Sequence, residues 1–169
     1  MNPAEVEDRY IEAPQPYTGT APSIFLAGGI TDCPNWQADA AYRILTASDT
    51  AVVLNPRRAN FPIEDPSAAR AQIEWEFHLL TRVATVALFW FPASTSIQPI
   101  ALFELGRYVA LRKRVVIGCD PLYLRRLDVV EQMRLALPKT VIYDNLAAVC
   151  HEATEAAHRA IAPTQETRA

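Results

Sequence analysis

A parallel β-sheet covered by helices is the α/β architecture this sequence predicts, and three observations carry the expectation. Short apolar runs rich in β-branched residues alternate with longer segments of helical period, the pattern that builds layers of helix on sheet. Most of these runs are continuously apolar rather than alternating, as strands buried on both faces must be. The chain of 169 residues, 50% of them hydrophobic, has the size of one domain with one core.

The elements follow in order. Residues 1–22 form a Pro-rich lead-in with no assigned role. Strands are expected at Ser23 to Ala27, Ala51 to Leu54, Thr85 to Phe91, Arg114 to Gly118 and Thr140 to Tyr143. The first helix runs from Asn35, its N-cap, to Ala47. The second starts at Asp65-Pro66, a cap followed by the proline favoured at the first helical position, and continues to Arg82. A third begins after Pro99 and ends near Arg112, a fourth lies between Asp120-Pro121 and Leu137, and a fifth spans Leu146 to Ile161. One domain is thus expected over residues 23–162, with a frayed tail at 163–169.

Composition narrows the function classes. A net charge of −3 and basic residues clustered only at Arg112-Lys113-Arg114 and Arg125-Arg126 do not make the cationic stripe that nucleic acid requires, so no nucleic-acid polymer is expected as partner. Cys33, Cys119 and Cys150 are odd in number and lack a C-x-x-C pair, which argues against a disulfide framework and for a reducing cytoplasm. Residues 1–22 carry acidic residues and prolines where a secretory signal would have an apolar run, and no membrane-length apolar run occurs, so neither a secretory signal nor a membrane span is expected. His78, His151 and His158 have no metal-ligand spacing with Cys or Asp, so no metal is expected. Neither G-x-G-x-x-G nor a P-loop occurs, so no dinucleotide or nucleoside-triphosphate cofactor is expected.

In an open parallel sheet, ligands bind beyond the carboxyl ends of the strands. That rule selects the loop from Gly28 to Asp32, the loop Asn55-Pro56-Arg57-Arg58, the loop Pro92 to Gln98 and the segment after Gly118. Gly28-Gly29 either lets backbone approach a ligand closely or simply makes a tight turn. Glu104 stands in the apolar stretch Ile100 to Gly106. A carboxylate there is costly to desolvate unless it is used, and the nearby helix N-terminus should favour its charged form. The alternative is a surface glutamate that only complements the helix dipole. Of Glu74 and Glu76, at most one can look into the cleft, because they lie on different helix faces. Trp90 and Phe91 are either core or a platform for stacking a base.

Three blocks in order resemble the nucleoside 2-deoxyribosyltransferase family, and more closely its divergent deoxyribosyltransferase-like branch. They are Ser23 to Ile30 with Trp36 downstream, Gln72 to Glu76 leading into Val86 to Pro92, and Phe103-Glu104-Leu105-Gly106-Arg107-Tyr108. The resemblance implies a flavodoxin- or Rossmann-like three-layer sandwich with a five-stranded parallel sheet. It also implies cleavage of the N-glycosidic bond of a 2-deoxyribonucleoside through a covalent ester on a glutamate. Glu104 matches that nucleophile, and the sugar then passes to another nucleobase or to water. Glu76 matches a catalytic acid one helix earlier, one residue out of step, and Gln98 stands where a second base-facing aspartate would be. Phe25 replaces a tyrosine that would orient the nucleophile. Phe25, Gly28, Gly29, Trp36, Trp90 and Gln98 are the expected substrate-binding residues in the cleft.

The family also completes its site from a neighbouring subunit, so a homo-oligomer is expected, with Gln132 and Arg134 at the positions that hold the sugar 5′ end. Arg134 either binds a 5′-phosphate through paired N–H donors or is a solvated helix residue. Two alternatives to transfer stay open. One is an N-glycoside hydrolase acting on nucleosides or their 5′-monophosphates, and the other is a non-catalytic nucleotide-binding module.

Overall fold

The protein's structure is a computed structural model that describes residues 8–62 and 64–161. The expected tail at 163–169, residue 162 and residues 1–7 of the lead-in lie outside these residues. The strands are β1 (Tyr10–Glu12), β2 (Ser23–Gly28), β3 (Val52–Asn55), β4 (Val86–Phe91), β5 (Val115–Cys119) and β6 (Ile142–Tyr143). The helices are α1 (Trp36–Ala47), α2 (Pro66–His78), α3 (Pro99–Ala110), α4 (Arg126–Ala136) and α5 (Leu146–Ile161), with α2 running on into a π-helical segment, Leu79–Val83. Among the described residues these strands form one sheet in the order β1-β3-β2-β4-β5-β6, every pair parallel.

The sheet therefore has six strands rather than five. The extra one, β1, lies in the lead-in and runs beside β3 with Tyr10 opposite Val53 and Glu12 opposite Asn55. With three residues it is too short for a periodicity signal. Tertiary contacts hold it instead. Arg9 donates to the carbonyls of Ser48, Ala51 and Leu45 at the end of α1, and the Asn55 amide donates to the Tyr10 hydroxyl at 2.6 Å. Without β1 the order is the flavodoxin-like one, in which the first strand of the core sheet lies between the second and the third.

Alternation along β2 divides the core. Ile24 and Leu26 face α1 and α5, together with Trp36, Ile44 and Val149. Phe25 and Ala27 face the other layer, with Trp75, Leu79, Leu105 and Tyr108. Each fully buried Phe or Leu contributes about 1.5–3 kcal/mol through its apolar area, and the helices on both faces explain why β2 and β4 read as unbroken apolar runs.

Helix starts follow their caps. The Asn35 side chain accepts from Ala38 N–H, and the Asp65 side chain accepts from Ser67 N–H at 2.9 Å with Pro66 first in α2. By contrast, α3 and α4 start without a side-chain cap bond, and α4 begins at Arg126 and not near Pro121. The Asp120 side chain accepts from Leu122 N–H, and its carbonyl accepts from Tyr123 N–H. These bonds close a turn that buries Tyr123, whose hydroxyl donates to the Ile97 carbonyl at 2.7 Å.

Candidate active site

Strand order reverses at β2, with β3 on one side and β4 on the other. The crevice at such a switch point opens at the carboxyl ends of these strands. A cleft of about 420 Å³ lies there. Of the residues expected to form a site, Phe25, Gly28, Gly29, Glu76, Gln98 and Glu104 all line it.

One wall is the Gly28-Gly29 turn. Gly28 has φ 153°, and a Cβ there would stand 2.1 Å from the Trp90 carbonyl oxygen. A Cβ on Gly29 would lie 2.4 Å from Cys33 Sγ and 2.6 Å from Gln98 Oε1. Gly28 admits only glycine, because its φ and the Trp90 backbone both exclude a side chain, whereas a methyl on Gly29 would have to displace the Cys33 and Gln98 side chains. Gly29 N–H donates to Gln98 Oε1 at 3.0 Å, while the Gly29 carbonyl accepts from Trp36 Nε1 at 2.9 Å and Gln37 Nε2 at 3.2 Å. Neither polar group of Gly29 is left facing the cleft unbonded.

Gln98 sits just before α3 in the left-handed region, φ 50° and ψ 54°, and is 4% exposed. That conformation costs a non-glycine residue about 1–2 kcal/mol. Hydrogen bonds offset it. Besides accepting from Gly29, the side-chain amide donates to the Pro92 carbonyl at 3.0 Å and to Ser94 Oγ at 3.4 Å. Gln98 thereby ties the loop after β4 to the loop after β2.

The opposite wall carries the charge. Glu104 stands in the second turn of α3, in the row of Ala101 and Tyr108, which are buried. Ile100, one turn before Glu104, also lines the cleft, and it and Phe103 are 66% and 65% exposed. Ala101, Leu105 and Tyr108 pack into the core, and Glu104 stands at the edge of that buried face, next to apolar side chains that are exposed. Glu76 enters from α2, whereas Glu74 is exposed, as their spacing requires.

Burial pushes the Glu104 carboxyl up to about 7, helped by the charge of Glu76 and opposed by Arg107. Burial also raises Glu76, against a hydrogen bond from Gln72 that lowers it. The helix terminus therefore does not hold Glu104 in its charged form. Its dipole acts within the first turn, and Glu104 lies beyond that turn beside a second carboxylate. The guanidinium of Arg107 is stacked between Phe77 and Phe103, 4.8 and 5.3 Å from the ring centres.

Four expected residues lie elsewhere. Trp36 is buried behind the cleft and reaches it only through its bond to the Gly29 carbonyl. Trp90 faces the α1 and α5 layer, where a Cβ on Gly118 would meet its ring at 2.5 Å. Gln132 and Arg134 are exposed on α4, and Arg134 pairs with Glu131 at 2.9 Å. Gly106, two residues after Glu104, has nothing within 4 Å of a Cβ built on it.

Pro56, in the loop expected at the site, lines the cleft, and Gln72, which opens the second block, bonds Glu76, although neither was among the expected site residues. The four-residue spacing of Gln72 and Glu76 on a helix was the available signal. Arg57, in the loop expected at the site, is turned away. It donates to the carbonyls of Cys33 and Pro34 and to Gln37 Oε1.

Among the described residues no His, Cys, Asp and Glu side chains cluster so as to hold a metal, and no helix is long and apolar enough to cross a membrane. Residues 21–123 match the family model described as nucleoside 2-deoxyribosyltransferase like, a span that contains every residue lining the cleft. No curated protein matches the chain.

Proposed function

This chain belongs to the nucleoside 2-deoxyribosyltransferase-like family, and from that premise we propose that it moves 2-deoxyribose between nucleobases through an ester on Glu104. The observation that carries the reading is the carboxylate pair, Glu76 and Glu104, in one otherwise largely apolar cleft, with Glu104 raised to about 7. Near neutral pH such a pair holds one proton between two groups, and its ionisations belong to the pair. One carboxylate can then attack while the other supplies acid.

In the first half-reaction a Glu104 carboxylate oxygen bonds to C1′ as the C1′–N bond breaks. The bonding electrons leave with the base, and a proton from Glu76 neutralises it. In the second, the nitrogen of an incoming base attacks C1′, its proton passes to Glu76, and Glu104 leaves as carboxylate. Two inversions at C1′ return the β configuration. The apolar surfaces of Phe25, Ile30 and Pro99 give a base a place to lie.

We favour nucleosides over their 5′-monophosphates. Among the described residues no Arg, Lys or His lines the cleft, and two carboxylates do, so a phosphate dianion there meets like charge without a partner. Arg134, on α4 and paired with Glu131, can serve the 5′ end only from a neighbouring copy. The reading includes such a homo-oligomer, and Ile73, Phe77, Ile100 and Phe103 expose apolar side chains that suit a contact.

Incubation with a deoxynucleoside and a different free base should give the exchanged nucleoside. Release of free deoxyribose alone would assign hydrolysis instead. Trapping with a 2-fluoro nucleoside should add the sugar mass to the peptide containing Glu104, and absence of both adduct and turnover would leave the non-catalytic binding module. A 5′-monophosphate that outperforms its nucleoside would overturn the substrate preference.

A further inference from the structure

Gln72 on α2 uses both hydrogens of its side-chain amide. Nε2 donates to the Pro56 carbonyl at 2.6 Å and to Glu76 Oε1 at 2.7 Å. These two acceptors fix the orientation of the amide, since the flipped form would set oxygen against oxygen twice. Gln72 and Glu76 are one helical turn apart and so share a face. Pro56 is buried, lines the cleft and follows β3. The amide thus binds a helix, a strand loop and a reacting-group candidate to one another. The amide oxygen is itself buried without a hydrogen-bond partner among the described residues, so the interaction is held by the donor side alone.

We propose that Gln72 is a positioning residue that fastens the Glu76 carboxylate to the Pro56 loop and holds it ionised beside Glu104 in the empty cleft, leaving the pair's proton on Glu104. The role deepens the transfer reading and rests on it. A neutral N–H donor binds the charged carboxylate better than the acid. Among the described residues the charged group bearing on the pair from α3 is Arg107. From the β3 loop, Arg57 is turned to the segment Cys33–Gln37, and Arg58 lies over the Phe61 ring. Glu104 can attack only after releasing its proton. Glu76, held ionised, is the base within the cleft that takes this proton: the Glu104 O–H bond breaks, a Glu76 O–H bond forms, and the leaving base receives the proton next.

Side-chain carboxyl NMR titration of the intact protein tests this without any substrate. In the wild type, Glu76 should titrate at lower pH than Glu104. Gln72→Met keeps the length of the side chain and removes the donor, so the Glu76 midpoint should rise by about one pH unit. Gln72→Lys retains a donor and adds charge, so the midpoint should fall. Opposite shifts in the two variants support the role, and an unmoved Glu76 midpoint in either folded variant overturns it. In exchange assays with Gln72→Met the acid limb of the rate profile should move upward along with the Glu76 midpoint. A loss of rate uniform across pH would instead mark a merely structural contact. Absence of any turnover by the wild type would overturn the transfer reading, while the titration would still decide whether Gln72 holds Glu76 ionised.

Discussion

On the Gly28-Gly29 side of the cleft, polar groups are paired among themselves. The Gly29 N–H and carbonyl and the Gln98 amide are all bonded within the protein. On the opposite side, Glu76 and Glu104 raise each other's cost, with a donor from Gln72 on one of them and Arg107 nearby. The first wall is satisfied and sterically closed, so it can shape a ligand but has little polar capacity left to bind one. The second wall holds charge in a place where charge is unfavourable, which is how a protein keeps a carboxyl group poised near neutral pH. Shape and chemistry are thus divided between two pairs of elements, the loops after β2 and β4 against α2 and α3.

The largest test of this division acts on the charged wall. Glu104→Gln should reduce transfer by about 10³-fold or more while the variant still binds nucleoside; binding lost in parallel would return Glu104 to a packing role. The same substitution should raise stability, with a sign that pH reveals. Glu104 is raised from 4.5 to about 7, so the folded state holds its proton more tightly. That contribution to stability is complete below about 4.5 and is lost as pH rises through about 7. Glu104→Gln should therefore gain up to about 3 kcal/mol at pH 8 relative to pH 4, read as a pH-dependent difference in Tm. A difference that does not change with pH would mean that the carboxyl is not under strain.

The shaped wall should respond in the opposite sense. Gly29→Ala places a methyl against Cys33 Sγ and Gln98 Oε1 and should cost about 1–3 kcal/mol in denaturant unfolding. Its stability loss should be independent of pH across the range where Glu104 titrates. The smallest effect is at Gly106, one turn outside both walls. Gly106→Ala should stabilise α3 by about 0.5–1 kcal/mol, because a methyl there meets nothing. Destabilisation, or a changed sedimentation profile, would locate a neighbouring copy against this turn.

The sheet was legible because its strands are buried on both faces, and the runs at Ser23, Thr85 and Arg114 each became a strand within one residue of the expected ends. Caps read from Asn35 and Asp65 also held. What stayed hidden depended on partners distant in sequence. The strand at Tyr10–Glu12 has no pattern of its own and forms because β3 and Arg9 receive it. Within the site, Glu104 was visible as a charge in an apolar run, while helix spacing said only that one of Glu74 and Glu76 could face the cleft and the family resemblance selected Glu76. Trp90 was not assignable, because an aromatic at a strand end reads alike whether it faces a ligand or a helix layer. The engaged state of Gln98 and the link from Gln72 to Pro56 arise from loop geometry, which residue spacing does not encode.

The short strand β1 has a consequence for handling the protein. It covers the side of β3 that β2 leaves open. Trimming the chain at Ser23, where the apolar pattern suggests that the domain begins, would bare the β3 edge and the carbonyls that Arg9 binds at the end of α1. An uncovered parallel strand recruits whatever strand it meets. A version cut there should precipitate or form β-rich assemblies on concentration, although every residue of the cleft would still be present.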